Sequence, residues 1–341
     1  MAPLTAPTLR VQGDLRVPGD KSISHRALIF SALGTGTSRV RAILPSADVH
    51  STAGALRALG VAIPPLSPSL EIRGVGLKGL RMPTTDLDCG NSGTSARLLS
   101  GVVAGSGITA RFIGDDSLSR RPMRRVQKPL EAMGARVETS GQGGLPMTVH
   151  GAELHDIEWN NDTSSAQVKS CILLAALCSG AEATVREPTR SRDHTERMLA
   201  ALGAEVWVNE GAVAFLGAHE LSSLDLDVPG DPSSAAFFAA LAALGTHGEI
   251  VLRDVCINET RTGFLTTLAA MGANIVFEEK ALRNGEWTAT LRIAPGAALR
   301  GVTVPASSIP SLIDELPLLA CLAAYAEGET RVTGAAELRV K

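Results

Sequence analysis

Five clusters of small polar and charged residues stand where the chain turns into an apolar run. The first is Lys21-Ser22-Ile23-Ser24-His25-Arg26, directly after Pro18-Gly19-Asp20. An ammonium, hydroxyls, a guanidinium and the free N–H groups of a helix start suit a phosphate or a carboxylate. The same residues also make an ordinary capped helix carrying two solvated cations. The second cluster runs from Asp88 to Arg97 and reads DCGNSGTSAR. Its glycines and short polar side chains let a backbone approach a ligand closely. It lacks the Gly-Lys-Ser/Thr ending of a nucleotide-binding P-loop and the glycine spacing of a dinucleotide fold.

The third cluster places four arginines, Arg120, Arg121, Arg124 and Arg125, within six residues. Such crowding calls for an anion or for carboxylates, although Arg124 and Arg125 read better as a solvated helix start after Pro122. The fourth, Thr163-Ser164-Ser165-Ala166-Gln167-Val168-Lys169, opens the apolar run SCILLAALC. Hydroxyls and an amide there can orient a polyol and its phosphate, or Ser164 or Ser165 can simply cap the helix. The fifth, from Ser308 to Glu315, ends in Asp314-Glu315 before LPLLACLAAYAEG. A carboxylate at that place stabilises a helix dipole, and serves as a general base only if a substrate hydroxyl comes within hydrogen-bond reach.

The elements that must hold these clusters repeat along the chain. VPGDKSISHRALIFSAL at 17–33 and VPGDPSSAAFFAALAAL at 228–244 share a Pro-Gly-Asp turn, a serine suited to capping, and a long apolar helix. Small-residue helices end at Gly34, Gly105, Gly180, Gly245 and Gly328, where glycine suits the left-handed conformation. Strand-like runs follow, as in TSRVRAIL, ITARFI, ATVREP, EIVLRDV and TRVTGA. Other helices end in Leu-Gly or Met-Gly at Gly60, Gly134, Gly203 and Gly272, spaced 74, 69 and 69 residues apart, again before strands such as AEVWV and ANIVF. The count gives five first halves and four second halves, the fifth unit opening near Ser307 and stopping at Lys341. The expectation from that arithmetic is a truncated chain with uncovered apolar faces.

At 341 residues two domains are the default, and 45% hydrophobic content with only 3% aromatics demands cores of Ala, Val, Leu and Ile. A net charge of −3 argues against nucleic acid as a partner, so an anionic ligand must meet locally gathered Lys and Arg. The five cysteines form no CxxC pair, which points to neither a zinc site nor a disulfide framework; four lie in or beside apolar stretches. The N-terminus is not patterned as a signal peptide, and no uninterrupted apolar run is long enough for a membrane span. A cytoplasmic location in a reducing compartment follows as the expectation.

PGDKSISHRAL, CGNSGTSARLL, RRPM, SSAQVKS, SRDHTE, PGDPSSAAF, IDELPLLA and ELRVK stand together in the order and spacing of the 5-enolpyruvylshikimate-3-phosphate synthases. The chain resembles that family from about Leu9 to Lys341, most closely its bacterial branch that includes glyphosate-tolerant enzymes. The resemblance implies an α/β protein of two inside-out α/β barrel domains, the enolpyruvyl transferase fold, built from βαβαββ-type repeats with the last part missing here. One domain is expected over 20–228 and the other over 1–19 with 229–341. It implies transfer of the enolpyruvyl group of phosphoenolpyruvate to the 5-hydroxyl of shikimate 3-phosphate, with no metal or organic cofactor, in a monomer with no nucleic-acid or membrane partner.

Carried over by motif, Lys21 contacts both substrates and stabilises charge during transfer. Ser22, Arg26, Ser165, Ala166 through its backbone, Gln167 and Arg192 hold shikimate 3-phosphate. Gly93, Arg121 and Gln167 belong to the phosphoenolpyruvate side. Asp314 faces the 5-hydroxyl as base or orienter, with Lys341 beside it. Ala166 stands where the family often has a second serine. Gly93, where tolerant relatives carry a larger residue, implies ordinary glyphosate sensitivity of an intact enzyme. The family continues past ELRVK with a glutamate, the expected proton-transfer partner of Lys21, so the expectation for 341 residues is an inactive chain with a marginal second domain. The amino-sugar enolpyruvyl transferases are the nearest rival, but they carry a cysteine where this chain reads GDDSLSRRPM. A non-catalytic ligand-binding remnant is the rival from another class.

Overall fold

A computed structural model describes residues 9–218, 220–296, 298–336 and 338. They divide into two compact units, one over Lys21–Val228 and the other joining the described residues up to Asp20 with those from Pro229 onward.

In the Lys21–Val228 unit the helices are α1 (Lys21–Leu33), α2 (Ala47–Ala58), α3 (Gly93–Gly105), α4 (Asp116–Ser119), α5 (Arg124–Ala132), α6 (Ala166–Ser179) and α7 (His194–Ala201). The stretch 157–217 shows the repeat in full: strand Ile157–Asn160, α6, strand Ala183–Arg186, α7, then strands Glu205–Asn209 and Ala212–Gly217. The first two strands pair in parallel and the rest antiparallel, giving a βαβαββ sheet. The same order and pairing recur over 87–150 around α3 and α5. The third sheet takes its first strand from the far end of the unit: Asp225–Asp227 pairs in parallel with Thr37–Arg41, which pairs antiparallel with Ser69–Arg73.

Burial explains the layering. Strand Ser69–Arg73 alternates exposed and buried residues, so one sheet face meets water. α1, by contrast, is buried from Ile23 to Leu33, and α6 from Val168 to Cys178. A helix that is apolar nearly all round, as α6 is, belongs in the interior, and α1 is buried as well although Ser24, His25, Arg26 and Ser31 are among its buried residues. α3 and α6 pack backbone to backbone: a Cβ on Gly101 would sit 2.1 Å from the Cys171 carbonyl, and one on Gly105 2.2 Å from that of Ala175. The sheets are separate; among the described strands they do not join into one hydrogen-bonded barrel.

The other unit carries α8 (Pro232–Leu244), α9 (Gly263–Ala270), α10 (Ile309–Leu312) and α11 (Leu316–Ala323). Its four-stranded sheet repeats the pattern with strand Arg10–Leu15 in first place, parallel to His247–Cys256, which is followed in the sheet by Glu286–Ala294 and Asn274–Arg283. α8 buries its alanines but leaves Phe237 65% and Leu241 43% exposed. The apolar helical stretch 306–323 is broken into 3₁₀ and α pieces, with Pro310, Asp314, Glu315 and Pro317 inside it.

The periodic Leu-Gly and Met-Gly pairs have a common geometry. Gly60, Gly134, Gly203 and Gly272 all have φ between 91° and 110°. The residue after each donates back to a carbonyl five residues earlier, Val61 to Leu56, Ala135 to Leu130, Ala204 to Leu199 and Ala273 to Leu268. That bond pattern, with glycine left-handed, is the Schellman ending. The other glycine series follows the rule only in part. Gly180 caps α6 with φ 90°, and Gly328 has φ 87°, although α11 already ends at Ala323. After α1, α3 and α8 the left-handed residue is instead Gly36, Gly107 or Gly248, because the chain runs further before it turns. The serine expected to cap α8 does not do so. Asp231 accepts the Ser233 N–H, freeing the Ser233 hydroxyl to donate to Glu315.

Candidate active site

Four helix starts of the Lys21–Val228 unit are tied together by polar side chains. Lys21 opens α1, and its Nζ lies 3.0 Å from Asp48 Oδ2 in the first turn of α2. One turn along α1, buried His25 meets Thr52 of α2 at 2.7 Å, and Thr52 meets Ser95 of α3 at 2.6 Å. Ser95 also reaches Ser92, the N-cap of α3, at 2.8 Å. Gln167, in the first turn of α6, completes the join. Its Nε2 donates to Thr94 Oγ1 at 3.0 Å, while its Oε1 accepts from Arg97 Nη1 at 2.5 Å. Three of these starts, those of α1, α3 and α6, carry residues singled out by their sequence clusters, and each presents N–H groups where an anion is favoured.

The serine start of α6 has a particular geometry. Ser165 is its N-cap residue, yet its side chain makes no capping bond. Ser164, with φ 47°, accepts from Thr189 N at 3.1 Å. Neither hydroxyl caps α6, which corrects the capping alternative and leaves the Ser165 side chain outside the helix's own hydrogen bonding. Asn161 supports the turn, its Nδ2 donating to the Ser165 carbonyl at 3.0 Å.

Arg26 is 4% exposed and held on three sides. Its Nε donates to Thr195 Oγ1 at 2.7 Å, Nη2 to Ser170 Oγ at 2.7 Å and Nη1 to the Ser22 carbonyl at 3.0 Å. Arg192 is half-buried between buried Ser191 and Asp193 at the approach to α7.

Arg121 Nη2 donates to Asn91 Oδ1 at 2.8 Å, and Asn91 Nδ2 donates to Asp115 Oδ2 at 2.6 Å. The Asn91 hydrogen bond, followed by that of the Leu118 N–H, holds the Asp115 carboxyl below its usual range. Gly93 sits against this group. A Cβ there would fall 2.9 Å from Arg97 Nη1 and 3.5 Å from Arg121 Nη1. Arg124 is exposed at the start of α5, in keeping with a solvated helix start.

With that geometry in place, known proteins can be set beside the chain. Residues 5–341 match the family of EPSP synthase (3-phosphoshikimate 1-carboxyvinyltransferase). The chain belongs to the EPSP synthase family. It is 48% identical over 333 residues to the 3-phosphoshikimate 1-carboxyvinyltransferase of Xanthomonas euvesicatoria pv. vesicatoria, covering 97% of this chain and 76% of that one. The enzyme of the same name from Persephonella marina is 45% identical, with 97% and 78% covered. Among solved structures, EPSP synthase from Acinetobacter baumannii superposes with a TM-score of 0.88 at 43% identity, covering 98% of this chain and 77% of that one. The enolpyruvyl transferase NikO from Streptomyces tendae, at 16% identity and a TM-score of 0.73, covering 96% and 75%, shares the fold. The expected enolpyruvyl transferase fold and shikimate-type family are therefore both found, and the reported relatives do not favour the amino-sugar rival.

As a member of the EPSP synthase family the chain holds further residues that its clusters did not single out. Asp48, Ser170 and Thr195 bond to expected site residues, and Thr52 joins α1 to α3 through His25 and Ser95. Their signal in sequence is faint, because each lies inside an ordinary amphipathic or apolar helix. Asp314 is exposed in the other unit, in the 3₁₀ turn Ile313–Glu315 that leads into α11. Its neighbour Glu315 is buried. Lys341 lies outside the described residues.

Proposed function

We propose that the joined starts of α1, α3 and α6 are the anion-binding part of an enolpyruvyl transfer site, acting on shikimate 3-phosphate and phosphoenolpyruvate. The observation that carries this reading is the double bond of the Gln167 amide to Thr94 and Arg97, which brings the cluster of α6 to the cluster of α3. The reaction of the family moves the carboxyvinyl group of phosphoenolpyruvate onto the 5-hydroxyl of shikimate 3-phosphate and releases phosphate.

In this reading Ser165, the Ala166 N–H, Gln167, Arg192, Ser22 and Arg26 hold shikimate 3-phosphate. The dianion is met by N–H groups, hydroxyls and guanidinium together, the combination that binds phosphate most strongly. Arg121, beside Gly93, pairs the phosphoenolpyruvate anion, and Gln167 spans both ligands. Asn91 fixes the Arg121 fork from behind, so less freedom is lost when the ligand arrives.

Chemically, the 5-oxygen bonds to C2 of phosphoenolpyruvate while C3 gains a proton. The C2–O bond to phosphate then breaks as C3 gives a proton up. Lys21, already paired with Asp48, supplies an ammonium for the charge that develops on the phosphate being released. Asp314 is assigned to the 5-hydroxyl as base or orienter, and Lys341 to the same ligand. The protein is read as a cytoplasmic monomer without a membrane partner, and its net charge of −3 argues against a nucleic-acid partner.

Titration calorimetry with shikimate 3-phosphate tests the reading. The expected result is binding that weakens about tenfold in Gln167→Ala, the loss of a hydrogen-bonding group facing a charged ligand. No binding to the unaltered chain would reject the site.

A further inference from the structure

Beneath the first turn of α6 lies a group of charges that the transfer reaction does not use. Lys169 is 1% exposed, and its Nζ lies 2.8 Å from Glu187 Oε2 and 2.8 Å from Glu196 Oε1. Glu187 and Glu196 are also buried. Burial pulls against the Lys169 charge, but Glu196 and Glu187 outweigh it and raise the ammonium's pKa. Glu187 is also held by neutral donors of the protein. It accepts from Asn161 Nδ2 at 2.8 Å, from Ser191 N at 3.1 Å and from Ser191 Oγ at 2.7 Å.

Burying three ionisable groups is costly, and apolar side chains of similar volume generally serve stability as well or better. Their neighbours suggest another use. Asn161, bonded to Glu187, also holds the Ser165 carbonyl at 3.0 Å. Ser191, held by Glu187, precedes Arg192 in the chain. Lys169 and Glu196 flank Ser170 and Thr195, whose hydroxyls are 2.7 Å apart and together receive the Arg26 guanidinium. Three groups assigned to one ligand are thus each one link away from a single buried ion pair.

We propose that Lys169 and Glu187 are positioning residues that set Ser165, Arg192 and Arg26 in register for the phosphate of shikimate 3-phosphate. The inference rests on the site reading above and adds to it the device that aligns the ligands. Neither residue touches the substrate. The pair fixes three separate segments, the 161–165 turn, the 187–193 loop and the start of α7, onto one charge centre.

The decisive variant is Lys169→Met combined with Glu187→Gln and Glu196→Gln, which removes all three buried charges while keeping an acceptor for Asn161 and Ser191. Affinities for shikimate 3-phosphate and for unphosphorylated shikimate are measured by calorimetry, and stability by urea unfolding. The expected result is a loss of about thirtyfold for shikimate 3-phosphate, a change under about threefold for shikimate, and a nearly unchanged unfolding midpoint. A folded triple variant with unaltered shikimate 3-phosphate affinity would overturn the positioning role. Equal losses for both ligands with a lowered midpoint would overturn it too, since that is what a merely structural pair gives. Ser191→Ala, which removes the hydroxyl bonds tying the Arg192 segment to Glu187 and leaves the Ser191 N–H bond, is expected to weaken shikimate 3-phosphate binding about fivefold, and it decides the matter if the triple variant fails to fold. Failure of the unaltered protein to bind shikimate 3-phosphate is a different outcome: it removes the site reading and the positioning role with it.

Discussion

His25 Nδ1 lies 2.7 Å from Thr52 Oγ1, and both residues are wholly buried. Burial, only partly opposed by Asp48, pushes the imidazole pKa from 6.5 down to about 3, with Arg26 and Lys21 adding to the fall. Its Nε2 has no hydrogen-bond partner among the described residues, so a second ring proton would be buried without an acceptor.

The consequence is a stability that depends on pH. Between pH 6.5 and about 3 the unfolded chain binds a proton at His25 that the folded chain refuses. Stability from this group is complete above pH 6.5 and declines as pH falls toward 3, by at most about 1.4 kcal/mol per pH unit. In His25→Gln, which cannot titrate, urea unfolding should show a shallower loss between pH 6.5 and 4 than in the unaltered protein. Equal slopes in the two proteins would count against His25 as the group responsible.

Gly93 leads to a prediction about ligand selectivity. A methyl group there meets Arg97 Nη1 at 2.9 Å, the atom that donates to Gln167. A guanidinium can move, so Gly93→Ala should fold normally while Arg97 shifts away from Gln167 and space beside Arg121 shrinks. Phosphoenolpyruvate and glyphosate are expected to lose about tenfold in affinity, and shikimate 3-phosphate much less. Glyphosate titration at saturating shikimate 3-phosphate checks this; an undiminished glyphosate affinity would remove Gly93 from that side of the site.

How much of this could be read from the chain alone differs between fold and site. The repeat was legible because Gly60, Gly134, Gly203 and Gly272 each need a left-handed backbone that other residues resist. The helix starts were legible for a similar local reason, since Lys21, Gly93 and Gln167 stand in short polar runs before apolar ones. What joins them was not. The bonds of Arg97 to Gln167 and of Arg26 to Thr195 span 70 and 169 residues, and no local pattern announces them. Lys169 was legible only as part of a motif, because a lysine inside an apolar run gives no sign of the two carboxylates awaiting it.

Arg261 yields a prediction about the two Pro-Gly-Asp turns. The turns pair through Gly19 and Gly230, and the Arg261 guanidinium donates to Asp20 at 2.8 Å and to Asp231 at 2.9 Å. Burial works against its charge, yet Asp20 and Asp231 together raise its pKa. Removing the guanidinium in Arg261→Met would strand two buried carboxylates, at a cost of about 3–5 kcal/mol. Arg261→Lys should recover only part, because one ammonium cannot make the forked contact. Chemical unfolding of the three proteins tests the order, and a methionine variant as stable as the parent would refute it.

The cysteines give the last prediction. Burial pushes the thiols of Cys89, Cys171 and Cys178 up to about 12, and that of Cys256 well above its usual value. At pH 8 these four are protonated and shielded, whereas Cys321 on α11 is exposed. Since the thiolate is the reacting form, a chromogenic disulfide reagent should modify one thiol per native chain quickly and all five only after denaturation. Cys321→Ser should abolish the fast phase without slowing the remainder. A fast phase of two or more equivalents in the native protein would mean that one of the interior helix contacts, such as Ser100 against Cys171 at 3.5 Å, opens far more readily than its burial allows.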